Sequence, residues 1–94
     1  MTQNFWHVVL SRKTAKAFPK LPERIKEILA LLIADIEEGG PVRGDWRNYS
    51  KLGPNTHHCH LKKGKPTYVA VWVETELGVQ VEVTYAGTHE KAPY

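Results

Sequence analysis

Histidines, lysines and a tyrosine are concentrated in the C-terminal part of this chain. Four of its five histidines follow residue 56, three of them in the run HHCH at 57–60. His89 and Tyr94 come at the far end of the same region. The imidazole group has a pKa of about 6.5, so histidine can accept or release a proton near neutral pH. These residue types favour acid–base chemistry, provided that the fold brings them together.

Three interpretations of the histidine-rich region are open from the residues alone. A structural zinc site needs four ligands in familiar spacings such as paired C-x-x-C, and this chain has one cysteine. Phosphodiester cleavage needs one group to take the proton of a ribose 2′-hydroxyl and another to protonate the leaving 5′-oxygen, while cations hold the charge that grows on phosphorus. The third interpretation is a polar sheet face without a site, because histidine is common on surfaces.

Alternation along a strand decides which of these side chains share a face. Successive side chains of a strand point to opposite sides of the sheet. Cys59 has the apolar parity and should face a covering layer, which leaves His58, His60 and Lys62 on the opposite, open face. His57 shares the parity of Cys59, but it stands at the strand start and its burial is left open. Since Cys59 does not join the two histidines on one ion, we expect neither a metal nor another cofactor.

Hydrophobic periodicity predicts the elements that carry these residues. Strands are expected over 5–10, 56–62, 68–74 and 79–86, and helices over 12–18 and from about 21 to the glycines at 39–40. The longer helix has an apolar stripe that should pack on a sheet. Three consecutive hairpin-linked strands form an antiparallel meander. The prediction is an α+β fold of order β-α-α-β-β-β, with a mostly antiparallel four-stranded sheet and two helices packed on one face.

The last predicted strand alternates apolar and polar residues. One face should carry four residues: Val79, Val81, Val83 and Tyr85. Gly87 is expected to end the strand. Because a meander brings strand ends together, His89 should approach the open face that carries His58 and His60.

The segment 41–55 has no clean period and mixes cations with aromatic residues. Trp46 and Tyr49 alternate there with Arg47 and Lys51. Basic residues beside aromatic ones can bind a phosphate backbone and stack on bases. In the alternative interpretation, the two aromatic side chains plug the end of the core while the charges are solvated.

Composition narrows the class of protein. At 94 residues, with 41% hydrophobic and 24% charged residues, the chain is expected to be one globular domain, 1–94. The net charge of +3 is a moderate bias toward polyanions such as RNA. We expect a cytoplasmic protein without membrane contact, because one cysteine cannot form an internal disulfide, the start lacks a signal-peptide pattern, and no apolar run reaches the ~20 residues of a membrane span.

Three stretches resemble the RelE/ParE toxin superfamily of type II toxin–antitoxin modules. They are WRNYSKL at 46–52, HCHLKKGKPTYVAVW at 58–72 and, above all, the ending VTYAGTHE at 83–90. The predicted order of elements is similar to that of the family as well, and the resemblance covers nearly the whole chain. It implies a RelE-like toxin that cuts mRNA in the ribosomal A site, an endoribonuclease acting without a metal.

The same resemblance implies partners and site residues. The partners would be a cognate antitoxin, in a toxin–antitoxin hetero-oligomer, and the ribosome with its mRNA. The implied catalytic residues are His58, His60, His89 and Tyr94, with His60 and His89 as the acid–base pair and the other two orienting or stabilising. The implied phosphate-binding residues are Arg47, Lys51, Lys62, Lys63 and Lys65.

One position departs from the family pattern. Relatives usually carry an arginine where this chain has Val69, so lysines would have to supply that charge. Two arrangements of this strand are open. In one, Val69, Val71 and Val73 face outward and form an apolar surface that something must cover. In the other, the valines are core, and Tyr68 and Trp72 face outward.

Two rival functions are also open. A ParE-like inhibitor of DNA gyrase needs no acid–base residues, so the histidines count against it. A degenerate member of the superfamily would only bind an antitoxin or RNA, and the missing arginine favours that reading.

Overall fold

The computed structural model describes residues 6–94, so Phe5 of the predicted first strand lies outside the described residues. Within that range there are five strands and two helices, with one 3-10 turn at Phe18–Lys20 between the helices and another at His89–Lys91 after the last strand. In chain order they are β1 (His7–Leu10), α1 (Arg12–Ala17), α2 (Glu23–Gly39), β2 (Ser50–Lys51), β3 (Thr56–Lys62), β4 (Tyr68–Glu74) and β5 (Gln80–Thr88). None of these helices is long and apolar enough to cross a membrane.

The strands form one sheet in the order β1-β5-β4-β3-β2. The β3, β4 and β5 strands make the predicted antiparallel meander, and β1 joins its edge parallel to β5. The predicted α+β class and element order are confirmed. The predicted count of four strands is wrong for the described residues, because β2 pairs antiparallel with the start of β3. Two residues are too few to show a period in sequence.

The apolar stripe of α2 covers one face of the sheet. Its buried residues are Ile25, Leu29, Leu32 and Ile36, spaced by three and four as the sequence predicts. The helix ends at Gly39 and is capped by Gly40, whose φ of 95° lies in the region that favours glycine and whose N–H donates to the Ile36 carbonyl. Ser11 begins α1 as an N-cap, since its hydroxyl accepts from the Thr14 amide.

The helix side of the sheet supplies the rest of the core. Its buried residues are Cys59, Leu61, Ala70, Trp72, Val81, Val83 and Ala86. Cys59 therefore faces the helices as predicted, and burial raises the pKa of its thiol to about 12. Because Trp72 lies in this core, the arrangement in which Trp72 faces outward is wrong. Val69 and Val71 alternate with it and lie on the open face.

A β-bulge in β5 changes which side chains reach the open face. Trp72 pairs with Val83 and Val71 pairs with Tyr85, which leaves Thr84 as an extra residue. Tyr85 therefore lies on the open face, and the prediction that it shares the face of Val83 is wrong. The strand also passes through Gly87 and ends at Thr88, so the predicted stop at Gly87 is wrong.

The start of the last strand differs from the prediction as well. Val79 precedes β5 and is 54% exposed, so it does not join the buried face. Its carbonyl instead accepts a hydrogen bond from the His7 amide at the edge of β1. Val79 alternates with Val81 in the sequence, but it belongs to the β4–β5 loop, which extends to residue 79.

Candidate active site on the open face of the sheet

The open face carries a small grid of side chains built by strand register. Two rows cross it from β3 through β4 to β5: His58–Val71–Tyr85 and His60–Val69–Gly87. The histidines stand on one side, the tyrosine and glycine on the other, with two valines between them. Val69 and Val71 are 0% and 3% exposed, so this apolar strip is already covered within the chain itself.

The four predicted catalytic side chains meet on this face as a closed ring. The ring centroids lie 5.9 Å apart for His58–His60, 5.7 Å for His60–His89, 5.9 Å for His89–Tyr94 and 4.8 Å for Tyr94–His58. All four contacts are edge-to-face. The expected approach of His89 to the open face is confirmed. The catalytic roles of these residues stay predictions.

The chain after β5 bends back so that His89 and Tyr94 reach the ring. The backbone N–H of His89 donates to the Thr67 carbonyl at 2.8 Å, just before β4 begins. A 3-10 turn then follows, closed by the Ala92 amide donating to the His89 carbonyl at 3.2 Å. Tyr94 ends up against His58. Burial raises the pKa of the Tyr94 phenol, with a further contribution from Tyr85, so this group stays protonated at neutral pH.

His60 has a ring nitrogen without a partner. Its Nδ1 is buried and makes no hydrogen bond to any of residues 6–94. Desolvation lowers the pKa of His60 first, and the neighbouring His58, His89, Lys63 and Arg47 lower it further. Because Nδ1 is enclosed, a proton taken from a substrate has to arrive at the other ring nitrogen, and a neutral imidazole whose proton is on Nδ1 can accept it there.

His58 is held more firmly than His60. Its Nδ1 shares a 3.0 Å hydrogen bond with the Ser50 hydroxyl, and the donor depends on the imidazole tautomer. The pairing of Ser50 with His58 in the β2–β3 ladder makes this contact. Sequence reasoning missed Ser50, because the two-residue strand that carries it was not predicted.

A cleft of about 620 Å³ opens beside His60 and His89. Its lining consists of His60, Gly64, Lys65, Pro66, Thr67, His89 and Glu90. Two imidazoles, an ammonium group and a carboxylate thus face one space, which is of the size that proteins use for small organic ligands. Thr67 and Glu90 were not among the predicted site residues, and nothing in their spacing identified them.

Three of the five predicted phosphate-binding cations lie at this site. Lys65 lines the cleft. Lys63 and Arg47 are near enough to His60 to lower its pKa, and the Arg47 carbonyl accepts from the His60 amide at 2.8 Å. Two cations thus act on the His60 imidazole, and a third lines the cleft beside it.

The other two predicted cations belong to the helix side by register. Lys51 pairs with His57, and Lys62 pairs with Tyr68, whose ring packs against the helix-side core. A second bulge, between His60 and Lys62, moves Lys62 off the parity of His60. The prediction that Lys62 lines the open face with His60 is therefore wrong.

His57 lies on the helix side, where both of its ring nitrogens have hydrogen-bond partners. It is fully buried, its Nδ1 lies 2.6 Å from the Tyr49 hydroxyl, and its Nε2 lies 2.7 Å from the Glu74 carboxylate. Its ring stacks on Trp72 with an interplanar angle of 8°. With both nitrogens occupied, His57 joins the segment around Tyr49 to the sheet and is not available to a substrate.

The aromatic residues of 41–55 serve the core. Trp46 packs against it and donates from Nε1 to Asp35 Oδ2 at 2.8 Å, which ties the loop to α2. Tyr49 also packs against the core and contacts Trp72. The interpretation of these two side chains as plugs at the end of the core is confirmed, and stacking on bases is not favoured.

The described residues contain no cluster of ligand side chains that could hold a metal ion. Among residues 6–94, no three histidine, cysteine, aspartate or glutamate side chains are arranged around one point as ligands. The ring histidines meet edge-on, and Cys59 lies on the opposite side of the sheet.

Comparison of the sequence with models of known protein families and with curated proteins found no match. Comparison of the fold with solved structures found RelE-type toxins. The isolated RelE toxin of E. coli superposes with a TM-score of 0.69 and 18% identity, covering 94% of this chain and 88% of that chain.

Two further structures extend this similarity. YoeB from Staphylococcus aureus, solved as a dimer, gives a TM-score of 0.69 and 10% identity over 89% of this chain and 97% of its own. The archaeal RelE–RelB complex from Pyrococcus horikoshii gives 0.67 and 11%, over 94% of this chain and 99% of the matched chain. The chain therefore has the RelE-like toxin fold.

Proposed function

We propose that this protein is the toxin of a type II toxin–antitoxin module and that it cleaves mRNA on the ribosome by acid–base chemistry without a metal. The observation that carries the proposal is the closed ring of His58, His60, His89 and Tyr94, beside a cleft that His60, His89 and Lys65 line. The RelE-like fold supports it, since the similar RelE of E. coli is a toxin.

His60 is the general base of the proposed reaction. It removes the proton of a ribose 2′-hydroxyl, and the 2′-oxygen attacks the adjacent phosphorus. The lowered pKa of His60 keeps it neutral at neutral pH, so it is ready to accept the proton. A doubly protonated imidazolium could not take this role, because neither of its nitrogens can accept a proton.

His89 is the general acid. It is the neighbour of His60 in the ring, with centroids 5.7 Å apart, and it lines the same cleft, so the two imidazoles can contact one phosphate. In its imidazolium form it gives a proton to the departing 5′-oxygen. The products are a 2′,3′-cyclic phosphate and a 5′-hydroxyl, and the enzyme is left with its two histidines in exchanged protonation states.

Cations and the phenol stabilise the charge on the phosphorane. Lys63, Lys65 and Arg47 lie around His60 and the cleft, and together they replace the arginine that relatives carry at the position of Val69. Tyr94 keeps its proton and donates a hydrogen bond from the far side of the ring. His58 orients Tyr94 through their 4.8 Å edge-to-face contact.

The proposed partner is an antitoxin that neutralises this activity. The similar archaeal RelE was solved in complex with RelB. We therefore expect a short reading frame beside the gene of this protein that encodes the antitoxin, and co-expression of the two proteins to restore growth.

Inducible expression in a bacterial host tests the function. The wild-type protein should arrest growth with loss of translated mRNA, and His89→Ala should not. His7→Ala is the matched control, because His7 is exposed on the edge strand β1 and pairs with Gln80 at the start of β5, whereas His89 follows the end of β5. Induction of the DNA-damage response with intact mRNA would instead point to gyrase inhibition and contradict the proposal.

A further inference from the structure

The peptide unit between Thr88 and His89 is held from both sides. Its carbonyl, that of Thr88, accepts a hydrogen bond from the Tyr85 hydroxyl at 2.7 Å. Its N–H, that of His89, donates to the Thr67 carbonyl at 2.8 Å. Because a peptide unit is planar, two such bonds fix the orientation of the whole plane and hence the direction in which the His89 side chain leaves the backbone.

Tyr85 reaches this carbonyl because it crosses Gly87. A Cβ at Gly87 would lie 2.8 Å from the Tyr85 hydroxyl oxygen and 3.0 Å from the ring carbon that bears it. The phenol therefore occupies the space that any other residue at position 87 would fill. The bulge at Thr84 places Tyr85 on this face, so bulge, tyrosine and glycine act together.

We propose that Tyr85 is a positioning residue, whose hydroxyl and the Thr67 carbonyl together clamp the Thr88–His89 peptide and hold the His89 imidazole against His60 and Tyr94. The proposal rests on the catalytic role given to His89 above, but the clamp itself can be observed without any RNA. Tyr85 need not touch the substrate, because it acts through the backbone that carries His89.

The first test is kinetic and uses two tyrosine-to-phenylalanine variants. Tyr85→Phe removes the hydroxyl and leaves the ring, and it should slow single-turnover cleavage on ribosomes by about 10- to 100-fold with little change in KM, as displacement of a catalytic group does. Tyr68→Phe is the matched control. Tyr68, on β4, pairs with Thr88 on β5, but its side chain packs against the helix-side core. Equal rates in both variants would overturn the proposal.

The second test is independent of activity. The ring C–H resonance of His89 is followed by NMR in the wild-type protein and in both variants. Tyr85→Phe should shift or broaden the His89 signal while the His57 signal, on the other side of the sheet, stays in place. An unchanged His89 signal would show that the peptide is not clamped by Tyr85. If the signal changes but the wild-type protein cuts no RNA, the clamp stands and the proposed function fails.

Gly87→Ala disturbs the same contact by a different route. This variant keeps the hydroxyl but displaces the phenol from the Thr88 carbonyl, since the added methyl group meets the ring at 2.8–3.0 Å. It should reproduce the effect of Tyr85→Phe on the His89 signal. If Tyr85→Phe fails to fold, a His89 signal in Gly87→Ala that matches the wild type would overturn the proposal.

Discussion

His57 and His60 stand on the same strand, three residues apart, and have opposite surroundings. On the helix side, His57 is fully buried, hydrogen-bonded at both nitrogens and stacked on Trp72. On the open side, His60 has an unpartnered Nδ1, edge-on ring neighbours and a cleft beside it. A saturated imidazole holds a structure together, whereas one with a free nitrogen near a cavity is able to exchange protons.

The largest expected effect comes from the open side. His60→Ala and His89→Ala should each lower single-turnover cleavage on ribosomes by about 10²–10⁴-fold, because each removes one proton-transfer step. Their free energies of unfolding should stay close to that of the wild type, since His89 is exposed and His60 is only half-buried. If either variant retains full cleavage, the assignment of the catalytic histidines to the open face is wrong.

His57 should show the reverse behaviour. His57→Leu leaves the Tyr49 hydroxyl and the Glu74 carboxylate without their partner, and it should lower the free energy of unfolding by about 3 kcal/mol. Urea denaturation measures this, with the exposed His7→Leu as control. Cleavage at a temperature where the variant is folded should be near normal. A stable but inactive His57→Leu protein would move the catalytic role to the helix side.

The pH dependence of cleavage sharpens the comparison. Since the pKa of His60 is lowered, the base form should be lost only below its ordinary value of about 6.5, and cleavage should fall as pH decreases through that lower pKa. Lys63→Gln removes one cationic cause of the shift, so the midpoint of this acid limb should move to higher pH. Lys62→Gln should leave the midpoint in place, because the bulge puts Lys62 on the other face of the sheet from His60. Equal movement in both variants would contradict the assignment of His60 as base.

The smallest expected effect concerns Ser50. Ser50→Ala removes the hydrogen bond to His58 Nδ1 and should lower the free energy of unfolding by about 1 kcal/mol, with less than a tenfold loss of cleavage. Lys51→Ala, at the neighbouring position with the opposite parity, should change neither quantity appreciably. A large loss of cleavage in Lys51→Ala would show that this cation reaches the substrate after all.

Sequence reasoning predicted those parts of the fold that depend on local periodicity. The α2 stripe and the alternation of Cys59 with His58 and His60 need no knowledge of neighbouring strands, and both were predicted in place. The bulges could not be predicted, because an extra residue in one strand depends on its pairing partner. The same holds for β2, which exists only as a partner of β3.

The candidate site was predictable to a similar degree. Residue type and parity brought together His58, His60 and His89, but they could not show which nitrogen has a partner. The saturation of His57 depends on Tyr49 and Glu74, which lie 8 and 17 residues away along the chain. Tyr85 was assigned to the wrong face, and its contact with Gly87 follows only from the bulge.

Primer extension on a reporter mRNA in a cell-free translation reaction tests the central claim most directly. The wild-type protein, His60→Ala and His57→Leu are compared with and without ribosomes. The proposed mechanism predicts cuts within the translated frame that require ribosomes, disappear in His60→Ala and persist in folded His57→Leu. No cuts by the wild-type protein, or equal cuts by His60→Ala, would contradict it.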